Sequence, residues 1–186
     1  MHTTDVIIAI SAGITTLATI IMAVFAGIML NQLKHMKEQN ELLRQQGEQA
    51  DDWQRKNNVL TYYSLNKYRD LYKIYAEAIK QYFDKEPWQL PSPITEKEIQ
   101  RIKSAEILAI AIYDLLEYFE EMCSCVLTKT VDEYLIYKFY CEEIRTHYYR
   151  YVPLIKDATE NKDIVGGYCD SMEYCVENWE ANPMIS

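Results

Sequence analysis

The stretch "IRTHYYRY" holds the densest set of groups that could do chemistry: Arg145, His147, Tyr149 and Arg150. Imidazole titrates near neutral pH and serves as base or ligand, and a guanidinium fork matches phosphate or carboxylate. On a helix Arg145 and Tyr149 are four apart and share a face, whereas Arg145 and His147 point to different ones. One reading is a ligand- or RNA-contact patch; the other is a polar edge of a helical bundle whose groups satisfy one another. A nucleophile needs its base within hydrogen-bond reach, and no such pair is legible. No catalytic residue is assigned, and the chain is not read as an enzyme.

The remaining reactive residues have plainer readings. Cys123, Cys125, Cys141, Cys169 and Cys175 are odd in number and fit no paired disulfide framework. "CSC" at 123–125 lacks the second His or Cys pair that a zinc site shows, so no metal is assigned and buried thiols are expected. Helical carboxylates can bind iron in a bundle, but the Glu-x-x-His pattern is missing. No cofactor is implied. Among the 16 tyrosines most lie on apolar stripes, which favours core packing with the hydroxyl at the rim over base stacking. With a net charge of -9, direct RNA binding is not expected.

These groups must be positioned by helices, and the first helix is unusual. From Val6 to Leu33 there is no charged residue. A bilayer core of about 30 Å needs about 20 helical residues, so the run is long enough to span. "MHTTD" before it has no Lys or Arg, and the apolar run is too long for a signal peptide. Lys34, His35, Lys37 and Arg44 follow it, which places the N-terminus outside and the rest in the cytosol. Residues 1–33 are therefore read as a transmembrane helix, 34–51 as a helical stalk and 52–186 as a cytosolic antiparallel bundle. The fold class is all-α.

Within the span, Ser11, Thr15, Thr19, Ala23 and Gly27 succeed one another at four-residue steps. Small residues let backbones approach in lipid, and hydroxyls can bond across the seam. The alternative is that each hydroxyl bonds back to its own helix. Asn31 and Gln32 stand at the cytosolic exit. A dimer would bury one stripe; a ring would use two faces and turn a third, with these amides, toward a lumen.

Leu33, Met36, Leu43 and Ala50 give the stalk a seam that Asn40, Gly47 and Gln54 interrupt. The periodicity predicts one helix over roughly 52–84, with Leu60, Leu65, Tyr68, Leu71, Tyr72, Tyr75 and Ile79 on its apolar face. "KEPWQLPSP" ends it. Thr95 with Glu98 is a capping box, opening a helix whose stripe runs from Ile99 to Phe119 and whose centre, "ILAIAIYDLL", is expected to be buried all round. Thr130 with Glu133 predicts another capping box. Pro153 predicts the start of a short further helix, Gly166 and Gly167 a break, and an acidic helix then runs to about Trp179.

"ATIIMAVFAG" followed by the stalk, and "EEIRTHYYRYVPLI" in the bundle, resemble the small membrane accessory proteins encoded beside the RNA-guided RNase of type VI-B CRISPR loci. It is also similar to other single-span bacterial proteins with helical cytosolic domains, some linked to phage defence. The resemblance implies a HEPN-like bundle, homo-oligomerisation into a ring, and a pore that permeabilises or depolarises the bacterial inner membrane. It further implies a functional link to that RNase effector. Where a HEPN nuclease motif would hold its Arg before His147 stand Tyr140, Cys141 and Glu142, so Arg145 and His147 would be a degenerate trace. Two alternatives remain: a membrane-tethered module that binds a protein or nucleotide signal, and a HEPN-type ribonuclease.

Overall fold

The computed structural model describes residues 3–160 and 169–184, with side chains described from Gly13. Six α-helices and one 3-10 turn make it up, with no strand among the described residues. Gly166 and Gly167 lie outside them. The chain divides into two compact units, Met1–Asp51 and Asp52–Ser186.

The first unit is a stretch of helix α1, Thr3–Tyr62. Its side chains from Gly13 to Ala50 are exposed. An 18-residue window here has a mean hydropathy of 2.2 with none of it buried. The helix is thus long and apolar enough to cross a membrane, as a single-pass protein requires.

The second unit is built around α4, Glu106–Leu127. It packs against α2 (Leu65–Phe83), α3 (Glu96–Ser104), α5 (Glu133–Glu160) and α6 (Asp170–Ala181). The last turns of α1 add Val59 to the core.

Where one helix was expected over 52–84, the chain breaks between Tyr62 and Leu65. Ser64 caps α2, its Oγ accepting the Lys67 N–H. The physical reason is phase. Tyr68 comes about 2.5 helical turns after Val59, so on a straight helix the two would face opposite ways. Both pack in the core, and only a break allows it. Leu60 and Leu65 turn outward, contrary to the expected stripe.

The same argument corrects the next helix. The capping box at Thr95 is present, the Thr95 N–H donating to Glu98 Oε2 at 2.8 Å. The helix ends at Ser104, however, and α4 starts anew beyond Ala105. Leu108 lies about 2.5 turns after Ile99, half a turn out of phase, yet both are buried. The "ILAIAIYDLL" stretch is not buried all round, since Ile107 and Ile110 are exposed.

Two further expectations are corrected. Asp132, not Thr130, caps α5, its Oδ1 accepting the Leu135 N–H at 2.9 Å. Thr130 instead bonds the Cys125 carbonyl, and Glu133 takes the Trp179 indole N–H at 3.0 Å. Pro153 lies inside α5 and does not start a new helix. Tyr148, Tyr151, Leu154 and Ile155 on both sides of it are buried in the same core, and that packing holds the register across the missing N–H. Helix α6 receives its N-terminal cap from across the bundle: both Glu120 carboxylate oxygens accept, from the Ser171 and Met172 N–H groups.

Candidate functional site

The residues singled out by sequence fall in both units. In the first, Thr15, Thr19, Ala23 and Gly27 follow each other along α1 and are exposed. Ser11 belongs to α1, with its side chain outside the described residues. The Thr19 hydroxyl donates to the Thr15 carbonyl at 2.9 Å, the self-satisfied arrangement open to threonine in a helix. A Cβ built on Gly13 or Gly27 would meet nothing within 4 Å. Gly47, off the stripe, meets nothing either, so it is the small residue types alone that make this side of α1 shallow. Asn31 and Gln32 are exposed beyond it.

In the second unit α5 sorts its four candidates between outside and inside. Arg145 Nη2 reaches both oxygens of Glu142, at 2.8 and 2.6 Å. The Tyr149 hydroxyl donates to Glu180 on α6 at 2.8 Å. His147 and Arg150 turn inward and are 2 % and 7 % exposed. Arg145 and His147 do not converge.

His147 Nδ1 lies 2.8 Å from the Glu143 carbonyl. A carbonyl only accepts, so the proton of the neutral ring sits on Nδ1 and Nε2 is left as an acceptor. No hydrogen-bond partner meets Nε2 among the described residues. Burial, helped by the nearby Arg150 charge, pushes this imidazole down to about 4, against the opposing pull of the Glu143 bond. Rings enclose it: Tyr75 and Phe119 both at 5.5 Å, Tyr72 edge-on, and Tyr151 stacked at 6.5 Å.

Arg150 Nη1 donates to the Tyr75 hydroxyl at 3.3 Å, and that hydroxyl pairs with Tyr151 at 2.9 Å. Burial raises both phenols above their ordinary range, so they stay protonated. Arg150 Nε meets no partner among the described residues. The hydroxyls of Tyr75 and Tyr151 thus lie in the interior, not at the rim. The sequence placed Tyr75 on an apolar stripe but carried no sign of its link to Arg150.

The cysteines are free. Cys123, Cys169 and Cys175 are buried, and Cys123 is held far above the usual thiol range by its bond to Cys175 and by burial. Such thiols are unreactive. Among the described residues no group of three His, Cys, Asp or Glu is placed to hold a metal ion.

Over residues 7–179 the chain matches the family described as a domain of unknown function, DUF4760. The chain belongs to the DUF4760 family. The match takes in the apolar stretch of α1 and ends at Trp179 in α6, so the DUF4760 region includes the candidate span and the bundle together. No curated protein and no solved structure matches this DUF4760 chain.

Proposed function

We propose that this DUF4760 protein is a single-span membrane effector. Its spans associate through the stripe from Ser11 to Gly27, and the assembly permeabilises the bacterial inner membrane during antiphage defence. The observation that carries this reading is the exposed, uncharged stretch of α1, which bears small residues where a lone anchor would be served by Leu or Ile. The basic residues just beyond it favour a cytosolic bundle. The resemblance to type VI-B CRISPR accessory proteins supplies the defence setting and the link to an RNA-guided RNase.

The test is an anchor exchange. Residues 1–33 are replaced by an unrelated Leu-rich span, and membrane potential is followed with a voltage-sensitive dye in expressing bacteria. Full-length protein is expected to depolarise the cells and the exchanged chain is not. Depolarisation that survives the exchange overturns the proposal.

A second reading, a membrane-tethered binding module, is favoured by the Thr19–Thr15 bond. A hydroxyl satisfied within its own helix needs no neighbouring span. Under this reading protection against phage survives the exchange without any depolarisation.

A further inference from the structure

Between Lys34 and Lys56 the charges of α1 avoid one side of the helix altogether. Counting alternately three and four residues from Leu33 gives Met36, Asn40, Leu43, Gly47 and Ala50, and none of them is charged. That is the a/d spacing of a heptad, which keeps one side of a helix against a partner helix along its length. The ion pairs of this stretch, His35–Glu38 and Arg44–Glu48, lie off that side. Leu33, Met36 and Leu43 are more than half exposed.

The same count continues upstream without a skip, through Met29, Ala26 and Met22 to Thr19 and Thr15. Helix α1 is unbroken over the whole distance. Four-residue steps behave differently. Each overshoots a turn by about 40°, so the row from Ser11 to Gly27 winds round the helix and loses the stalk's seam. A heptad drifts by only about 20° per seven residues, which a left-handed supercoil absorbs. Of the two, the heptad side alone keeps a pair of α1 helices in contact from span to stalk.

A second copy of the same helix fits this side. Both copies carry the apolar run at the same end, so in one membrane they stand parallel. In a parallel pair Gln32 meets Lys37 of the second copy, Gln39 meets its Arg44 and Gln46 its Asp51. Each contact sets an amide against a charge, with no like charges opposed. The two Asn40 amides face each other, the polar layer that fixes register at a cost in stability. Gly47 and Ala50 make a thin layer that nothing in the chain itself fills, since a Cβ on Gly47 would meet nothing within 4 Å. Anchoring in one membrane raises the local concentration, so a short seam suffices.

We propose that residues 33–50 pair in parallel with the same residues of a second copy, as a two-stranded coiled coil continuous with a seam through Met29 and Met22. The pairing rests on the membrane-effector reading only for the anchored N-terminus that makes the copies parallel.

The test is disulfide trapping of the full-length chain in bacterial membranes, with copper phenanthroline as oxidant and the chain without an added cysteine as baseline. Leu43→Cys and Ala50→Cys, on the seam, should give disulfide-linked dimers above that baseline. Leu42→Cys and Gln49→Cys, each one residue away and outside the seam, should not. All four positions are exposed, so the folded bundle is left intact. In the Leu43→Cys chain, Asn40→Asp opposes two carboxylates inside the seam and should abolish the dimer. Gln45→Asp, on the outer side of the same helix, should leave it. Dimers at all four positions alike, at none, or unchanged by Asn40→Asp overturn the pairing. Depolarisation of the same cells is followed in parallel. Seam-specific dimers without depolarisation support the pairing and count against the pore; depolarisation without seam-specific dimers overturns the pairing alone.

Discussion

The Tyr75 hydroxyl lies 2.9 Å from the Tyr151 hydroxyl, joining α2 to α5 inside the core. The two are not equivalent, because Tyr75 also accepts from Arg150. Tyr151→Phe removes one neutral hydrogen bond and should cost about 1 kcal/mol. Tyr75→Phe also strands the Arg150 Nη1 donor and should cost about 2–3 kcal/mol. Denaturant unfolding of the two single mutants and the double mutant measures this. A double mutant close to Tyr75→Phe alone is expected, since the pair bond is then lost only once.

Stability should depend on pH through His147. The folded ring takes its proton only near pH 4, whereas an unfolded histidine takes it near 6.5. Between those values the unfolded chain binds more protons, so stability falls as pH drops from 6.5 to 4 and levels off below. The loss attributable to this group is about 3 kcal/mol. The phenols Tyr72, Tyr75 and Tyr151 around it are raised above their ordinary range and stay neutral throughout that window. His147→Phe should remove this part of the acid dependence, read as the difference between wild-type and mutant unfolding curves across the window. Identical slopes would show that His147 is not the group responsible.

Glu120 substitutes for a local cap on α6 by accepting from the Ser171 and Met172 N–H groups at 3.0 and 2.8 Å. Glu120→Ala should destabilise the bundle by about 1–2 kcal/mol, and Glu120→Gln by less, since one acceptor oxygen remains. Amide hydrogen exchange at Ser171 and Met172 should accelerate in the Ala variant before global unfolding does.

Under the proposed function, self-association depends on the small side of α1. Thr15→Leu with Thr19→Leu fills the shallow side without lowering hydropathy. The mass of the full-length protein in mild detergent should fall from a discrete oligomer toward a monomer. An unchanged mass would remove the stripe from the assembly.

The local features of this chain were legible in its residues. The uncharged run from Val6 to Leu33 marks the candidate span by composition alone. The Thr95–Glu98 box is satisfied within one helical turn, and the structure has it. That box and the hydropathy of the run are both short-range, so neighbours in sequence suffice to read them.

What the tertiary structure decided is phase and partnership. Apolar residues recur at helical spacing through Ser64 and Ala105, yet the chain breaks at both, because Val59 with Tyr68, and Ile99 with Leu108, must face one core from positions half a turn apart. Pro153 stays within α5 because packing on both sides outweighs a lost hydrogen bond. The candidate site is likewise a product of distance. Arg150 meets Tyr75 from another helix, Glu120 caps α6 across the bundle, and Glu133 is taken by Trp179 before it can close a box with Thr130. Sequence determined which residues are apolar, small or charged. Only the packing of α2 and α5 decided that one of the charges would be carried inside.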